Sequence, residues 1–251
     1  MRRPLIAAAA AAVAFSLMPA TSVADDSAAA RGVDITPPAV GSCHATTYGE
    51  AMAKSDPDPA VPCSDAHTGL TFKVVDLGTS PDWDDDALPR IVTNRCSDAW
   101  HEVLGDNPKV ITRSAYTFFW FMPTKAQRDA GATWASCDAS LWGGKNRLAP
   151  LPAGEDISLG SLPLPARVAK CRGGKRADYA YTVCSRQHSF KATISVRYPH
   201  KTYPGRRAAE RFAKRACAKR VTTAYFAEDV WSKRAWQAGY RHAVCLPEVR
   251  G

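Results

Sequence analysis

The sequence predicts an α+β fold: two tandem disulfide-stapled units, each a small antiparallel sheet with one main helix and one short helix. The first observation is a hexapeptide pattern, C-S-x-x-H-S/T, that occurs at residues 63–68 and again at 184–189. The second is the even division of the eight cysteines, four to each copy. The third is a strand-like stretch and then a helix-like stretch after each hexapeptide. We therefore expect each copy to form one unit.

The first 24 residues are typical of a secretory signal peptide. Arg2 and Arg3 form a basic start, an apolar alanine-rich run covers residues 5–18, and Ser22 and Ala24 are the small residues that a cleavage site needs. The apolar run is shorter than the roughly 20 residues that cross a bilayer, and no later stretch reaches that length. We expect a secreted, extracytoplasmic protein whose mature chain has no transmembrane segment. Retention of the signal as an uncleaved anchor is the alternative.

Composition divides the rest of the chain into four segments. Residues 25–39 are polar and alanine-rich, which predicts a disordered leader. Residues 40–142 form the first unit, and residues 166–251 form the second. Residues 143–165 contain several prolines and glycines and few aromatic residues, so they are predicted to be an interdomain linker. The units could be independent, or they could pack as a pseudo-symmetric pair.

Apolar spacing predicts the elements of the first unit. A short strand over residues 60–63 precedes a strand over 70–77, where Leu70, Phe72 and Val74 alternate with other residues. Apolar residues between Leu88 and Val103 recur at steps of one, three and four, which predicts a single helix face.

The end of the first unit is predicted from aromatic residues and a glycine. Residues 116–122 are an aromatic strand, and residues 124–130 are a short helix that ends at Gly131. Residues 133–141 form a last strand, which carries Cys137.

The second unit repeats this order. Residues 190–198 alternate as a strand, and the apolar residues of 208–217 share one helix face. Residues 232–238 repeat the short helix, and 239–246 repeat the last strand.

An even number of cysteines in an exported chain predicts a disulfide framework. Four cysteines per unit allow three pairings, of which we favour sequential pairing within each unit. The first pair would join two neighbouring strands, and the second would join the helix to the last strand. The favoured pairs are Cys43 with Cys63, Cys96 with Cys137, Cys171 with Cys184, and Cys217 with Cys245.

Metal binding is the alternative use of these residues. Cys63 with His67, and Cys184 with His188, have the spacing of zinc ligands, but the chain has no C-x2-C knuckle, and thiolates are poorly maintained outside the cell. The aspartates of residues 82–86 lack the glycine and the distal glutamate of a calcium loop, and acidic residues are favoured at a helix start. We expect no metal and no cofactor.

The two repeated histidines, His67 and His188, are the first candidates for chemistry. A histidine at such a turn could act as a general base or a metal ligand. The structural alternative is that the ring and the adjacent hydroxyl close the turn before the strand. Arg186 occupies the position that Asp65 has in the first copy, so the repeat does not preserve a triad. We therefore assign no catalytic residue.

Charge is divided unequally along the chain. Residues 25–152 hold 11 basic and 17 acidic residues, whereas residues 153–251 hold 20 basic and 7 acidic residues. The excess is concentrated on one predicted helix, which could bind an anionic cell-wall polymer, lipid headgroups or extracellular nucleic acid, of which nucleic acid is the least favoured partner. A solvated face and docking against the acidic first unit are the alternatives. The basic residues are Arg206, Arg207, Arg211, Lys214, Arg215, Lys219 and Arg220.

Several short motifs resemble those of the septum formation domain of actinobacterial envelope proteins. The second unit matches less well, because it has no glycine at the position of Gly41 and has Trp231 in place of Pro123. The resemblance implies exported or membrane-tethered domains, here in two tandem copies, and supplies no catalytic residues. The matching residues are 40–43 (V-G-S-C), 61–64 (V-P-C-S), 67–68 (H-T), Pro123, Gly131 and Cys137.

These observations together predict a secreted, non-enzymatic protein of the cell envelope, associated with the septum or the cell wall. The second unit would bind an anionic envelope surface, and the first would bind an envelope protein. A secreted cell-wall hydrolase that uses His67 or His188 is the alternative from another class. A secreted inhibitor or toxin-like protein is a third interpretation.

Overall fold

The computed structural model describes residues 32–249, except residues 54, 56–58, 106, 155–156, 175–178 and 238. The predicted signal peptide and residues 25–31 of the predicted leader lie outside the described residues. Within the described part of the chain, no helix combines the length and the apolar character needed to cross a bilayer. Val33–Gly251 form one compact unit.

The first copy contains five strands and four helices among its described residues. Its elements are β1 (Cys43–His44), α1 (Tyr48–Ala51), β2 (Gly69–Asp76), α2 (Leu88–Leu104), α3 (Pro108–Ile111), β3 (Tyr116–Phe121), α4 (Lys125–Asp129), β4 (Trp134–Gly144) and β5 (Arg147–Ala149).

The second copy contains six strands and two helices among its described residues. Its elements are β6 (Lys170–Gly173), β7 (Ala180–Val183), β8 (Phe190–Lys191), β9 (Ile194–Arg197), α5 (Arg206–Ala218), β10 (Phe226–Asp229), α6 (Lys233–Gln237) and β11 (His242–Pro247). The fold is therefore α+β with antiparallel sheets, as the sequence predicts.

The central strand has two equivalent neighbours in each copy. In the first copy β4 lies between β2 and β3, and in the second β11 lies between β9 and β10, always antiparallel. The strand that is continuous in β2 is divided into β8 and β9 in the second copy. Cys43 of β1 lies opposite Leu70, and Cys171 of β6 lies opposite Lys191, which is the equivalent residue.

The division between β8 and β9 separates the second copy into two sheets. Strands β6, β7 and β8 join the first copy in an eight-stranded sheet of order β1-β2-β4-β7-β6-β8, with β3 and β5 also paired to β4. Strands β10, β11 and β9 form a separate three-stranded sheet. The two copies therefore share the eight-stranded sheet.

The two main helices cover the sheets with faces of different size. Helix α2 buries Val92, Cys96 and Trp100, and the Trp100 ring centroid lies 5.0 Å from that of Phe72 and 5.3 Å from that of Phe118. Helix α5 buries only three alanines and a cysteine. The first copy consequently holds most of the apolar core.

The disulfides have the sequential pairing that the sequence analysis favours, although Cys63 and Cys184 lie in turns and not in the strands expected there. The four bonds connect Cys43 with Cys63, Cys96 with Cys137, Cys171 with Cys184, and Cys217 with Cys245. The second bond ties α2 to the central strand β4, and the fourth ties α5 to the central strand β11. No free cysteine occurs in the described residues.

The segment expected to be a linker is packed into the core. Residues 143–165 contain the end of β4 and all of β5, and Leu151, Ile157 and Leu159 are buried in the main apolar cluster. Proline and glycine content suggested a tether, but the intervening leucines and isoleucine bury apolar surface, which stabilises a fixed path.

Two further expectations differ from the structure. Residues 33–39 of the predicted disordered leader follow a fixed path, because the side chains of Gln127 and Trp134 donate hydrogen bonds to the carbonyls of Asp34 (3.0 Å) and Ile35 (2.9 Å). The strand expected at 60–63 is only an isolated bridge between Val61 and Cys43.

Gly143 lies at one of the contacts between the two copies, since it pairs with Thr182 of β7. A Cβ at this position would lie 2.5 Å from the Leu148 carbonyl oxygen, which is backbone and cannot rotate away. We expect Gly143→Ala to lower the free energy of unfolding in urea by about 1–3 kcal/mol. Gly49→Ala is the matched control, because its Cβ would meet only the Thr47 hydroxyl at 3.8 Å. Equal changes in the free energy of unfolding for the two variants would contradict the explanation by a clash with the Leu148 carbonyl oxygen.

Candidate functional site

Helix α5 is held to its sheet by small residues on one side. Ala209, Ala213 and Ala216 are buried, and Cys217 is bonded to Cys245 of β11. Alanines allow a close approach between helix and sheet, so the long side chains of the helix occupy the opposite face.

The seven cationic side chains predicted from the sequence are all exposed, and together we call them the basic surface of α5. Five lie on the helix, whereas Lys219 and Arg220 follow its last residue, Ala218, so the expectation that one helix carries all seven is wrong at its end. Arg206 bonds Glu210 at 2.9 Å within the helix, an exposed pair that contributes little to stability. The other six have no carboxylate within 4.0 Å among the described residues, and none pairs with the acidic first copy. These residues are Arg206, Arg207, Arg211, Lys214, Arg215, Lys219 and Arg220.

The repeated histidines occupy equivalent turns. His67 Nδ1 lies 2.8 Å from the Asp65 carbonyl oxygen, and His188 Nδ1 lies 2.7 Å from the Arg186 carbonyl oxygen. A carbonyl only accepts, so Nδ1 carries the proton in both rings. His67 is 1 % exposed, and its Nε2 has no hydrogen-bond partner among the described residues. This geometry supports the turn-closing interpretation, and the structure does not bring the two histidines together.

The candidate metal ligands are engaged in other contacts. Cys171, Cys184 and His188 have side-chain donor atoms within 4.8 Å of one another, but the two sulfurs share a disulfide and offer no thiolate. Asp82 accepts a hydrogen bond from the Asp84 amide at 3.0 Å, before α2 begins. The Asp85 carboxylate accepts a hydrogen bond from the Ala87 amide at 2.7 Å. These bonds close turns before α2, whose N-cap is Ala87 and makes no side-chain capping bond, so the expectation that the aspartates of residues 82–86 cap the helix is wrong.

A polar cluster in the first copy was missed from the sequence. It lies at a groove of about 630 Å³ that residues 33–39 help to line. The Ser42 hydroxyl lies 3.0 Å from His44 Nε2 and 2.7 Å from the Ala39 carbonyl oxygen. The Thr71 hydroxyl donates to the Asp138 carboxylate at 3.2 Å and lies 3.2 Å from His44 Nε2.

The hydrogen-bond partners favour a structural role for this cluster. The Ser42 hydroxyl donates to the Ala39 carbonyl oxygen, which can only accept, and also lies 3.3 Å from the Thr71 hydroxyl. The Thr71 hydroxyl donates to the Asp138 carboxylate. With both hydroxyl protons engaged in these bonds, the tautomer with a proton on His44 Nε2 completes the network, and this tautomer is not a base for Ser42.

A buried charge cluster lies in the second copy. Lys170 Nζ is 3.6 Å from a carboxylate oxygen of Asp229 and 4.9 Å from the ring centroid of Trp231. The Tyr181 hydroxyl donates to the other Asp229 oxygen at 2.8 Å. Burial lowers the pKa of Lys170, and the nearby carboxylate opposes this shift. The sequence offered no signal for this cluster, because Lys170 is one of many basic residues in this half of the chain.

Comparison with known proteins gives one family. A family model described as "Septum formation" matches residues 41–245 in a single span. No curated protein and no solved structure matches. Because the span covers both copies at once, two tandem copies of the family domain remain a prediction, as does an actinobacterial source.

Proposed function

Because the chain belongs to the septum formation family, we propose that it is a non-enzymatic protein of the septum or cell wall that binds an anionic surface of the envelope. The basic surface of α5 would make the contact, with a wall polymer or with lipid headgroups. The observation that carries this proposal is the exposure of seven cationic side chains, six of them without a carboxylate partner among the described residues.

The cysteines support a location outside the cytoplasm. All four pairs are disulfide-bonded, and such bonds persist in oxidising compartments. The sequence adds the predicted signal peptide. We therefore include secretion in the proposed function, and the four disulfides are consistent with it.

Electrostatics is sufficient for reversible binding. Each lysine or arginine near an anionic surface contributes about 1 kcal/mol, so six give about 6 kcal/mol, an affinity between millimolar and micromolar. The contribution falls as salt shortens the screening length to about 10 Å at 0.1 M. Binding of this kind is strongly salt-dependent.

Co-sedimentation tests the proposal. We expect the mature protein to pellet with purified cell-wall sacculi or with phosphatidylglycerol vesicles at about 50 mM salt, and to lose at least about tenfold in binding at about 500 mM. Reversal of three charges, Arg211→Glu with Arg215→Glu and Lys219→Glu, should abolish pelleting at low salt.

A matched control separates the surface from net charge. The triple variant Lys73→Glu, Lys125→Glu and Arg147→Glu changes the net charge equally at exposed sites outside α5, and it should pellet like the unmodified protein. The proposal fails if neither sacculi nor vesicles bind at low salt, or if both triple variants lose binding equally.

A cell-wall hydrolase, the alternative from another class, has little support from the site. His67 and His188 bond backbone carbonyls and no carboxylate among the described residues, and the Ser42 hydroxyl beside His44 donates to the Ala39 carbonyl oxygen. These contacts favour the non-enzymatic proposal.

A further inference from the structure

A second basic site lies where the two copies meet. Here α3 of the first copy faces the three-stranded sheet of the second, and the Ser195 hydroxyl contacts the Thr112 hydroxyl at 3.0 Å and Arg113 Nε at 3.2 Å. Beside these contacts is a groove of about 660 Å³. It is lined by Pro108, Lys109, Arg197, Gly239, Arg241 and His242.

The groove lies on the sheet face that α5 does not cover. Tyr198 and Ala243 pack with the alanines of α5. Arg197 and His242 are their neighbours along β9 and β11, and they lie directly opposite each other in the strand pair. Because successive residues of a strand point to opposite faces, Arg197 and His242 are on the far side of the sheet from α5.

Basic side chains line both the exposed edge and the buried part of the groove. Lys109 and Arg197 are exposed, Arg241 is half-buried, and His242 is 7 % exposed. No acidic residue is among the described residues that line it. His242 Nδ1 is buried and has no hydrogen-bond partner in the described part of the chain. Unpaired buried polar atoms and clustered like charges both cost free energy, and an anion would offset the charge repulsion.

The surroundings of His242 change the pKa of its ring. Burial lowers the pKa of its imidazole, and the charges of Arg197 and Lys109 lower it further. Burial, together with cations from two different elements, β9 and α3, therefore disfavours the imidazolium form. An anion among these cations would favour the imidazolium form and raise the pKa.

We propose that this groove is a binding site for a phosphate group, separate from the basic surface of α5. Two guanidinium groups and an ammonium converge on it, and a guanidinium bonds phosphate through two parallel N–H donors. The volume admits a group larger than phosphate alone, such as a sugar phosphate or a phosphodiester. Residues from both copies form the site, so it exists only when the copies are packed together.

Nuclear magnetic resonance of the His242 ring tests the proposal. We expect inorganic phosphate, compared with chloride at equal ionic strength, to raise the pKa of His242 by at least about half a unit. Arg197→Gln and Lys109→Gln should each weaken phosphate binding by about tenfold or more, since each removes one cation from the groove. Both side chains are exposed, so the variants should fold.

Two control variants show whether the phosphate response arises at this groove. Arg147→Gln removes one exposed cation elsewhere and should leave the phosphate response unchanged, and so should the triple charge reversal on α5. Identical effects of phosphate and chloride would overturn the proposal. Loss of the response on reversal of α5 would overturn it too, because α5 would then be the phosphate site. The phosphate response is thus independent of sacculus binding.

Two ligands distinguish the source of the phosphate. A response of His242 to soluble glycerol 3-phosphate supports a phosphate-containing polymer or metabolite. A response only to phosphatidylglycerol vesicles supports a lipid headgroup. A lack of response to both, and to inorganic phosphate, rules the site out.

Discussion

Replacing Cys96 and Cys137 together by alanine is expected to lower the free energy of unfolding by about 4 kcal/mol. The bond closes a loop between residues 41 apart in sequence, and such a cross-link restricts the unfolded chain. Both cysteines are fully buried, one on α2 and the other on β4, the strand that joins β2, β3, β5 and β7. The double substitution therefore removes a cross-link at the centre of the larger sheet.

Urea unfolding under oxidising conditions measures this loss, with the Cys171 and Cys184 pair as the comparison. That pair is 13 residues apart, so the same double substitution should cost about 3 kcal/mol. The melting temperature should fall by about 2–4 °C for each kcal/mol in a chain of this size. A larger loss from the shorter loop would contradict the chain-entropy explanation.

The longest helix was predicted correctly because it has an amphipathic pattern. Helix α2, expected over residues 88–103, spans Leu88–Leu104. The short helices α4 and α6 also lie within their expected ranges, but these were predicted from the glycine that follows each of them. An amphipathic pattern indicates which face of an element is buried, and it does so even when the element that packs against this face is not known.

The missed elements are short or depend on distant partners. Strand β5 has three residues and exists through its pairing with β4, and β6 forms through pairing with β7 and β8. The isolated stretches carry no alternation that would distinguish them from loops. Proline and glycine near β5 pointed to a linker, whereas burial of Leu151 and Ile157 determined the outcome.

One of the two candidate binding sites was predicted from the sequence and the other was not. The basic surface of α5 was predicted because its residues are close in sequence, and helical geometry alone gathers them on the outer face. The groove at His242 was not predicted, because Lys109 belongs to the acidic half of the chain and meets Arg197 only through the packing of the two copies. Local patterns reveal helix surfaces, and they do not reveal sites assembled from separate segments.

The second large effect is expected from Asp229→Asn. This substitution leaves the ammonium of Lys170, which is 7 % exposed, against the rings of Trp231 and Tyr181 without its carboxylate. Removal of one partner from a buried ion pair leaves an uncompensated charge, so we expect a loss of about 3–5 kcal/mol in the free energy of unfolding. Lys170→Met in the same chain should restore much of it, because the unpaired charge is then gone.

The dependence on pH identifies the buried charge as the cause. Asp229 opposes the lowering of the Lys170 pKa by burial, so its loss should lower this pKa further. Between that value and the ordinary pKa of about 10.4, the unfolded chain binds the proton more tightly than the folded chain. The stability of Asp229→Asn should therefore rise with pH across this window, measured below about pH 10, where tyrosines of the unfolded chain start to ionise.

The double substitution with Lys170→Met should lose this slope, whereas a defect in packing alone would leave the pH dependence of the unmodified protein unchanged. Tyr181→Phe is the matched control, since it removes one hydrogen bond to the carboxylate and leaves the ion pair in place. Its cost should be about 1.5–3 kcal/mol with no added slope. An Asp229→Asn variant less destabilised than Tyr181→Phe would mean that the Lys170 ammonium is solvated or neutral in the folded protein, and that the carboxylate serves only the tyrosine.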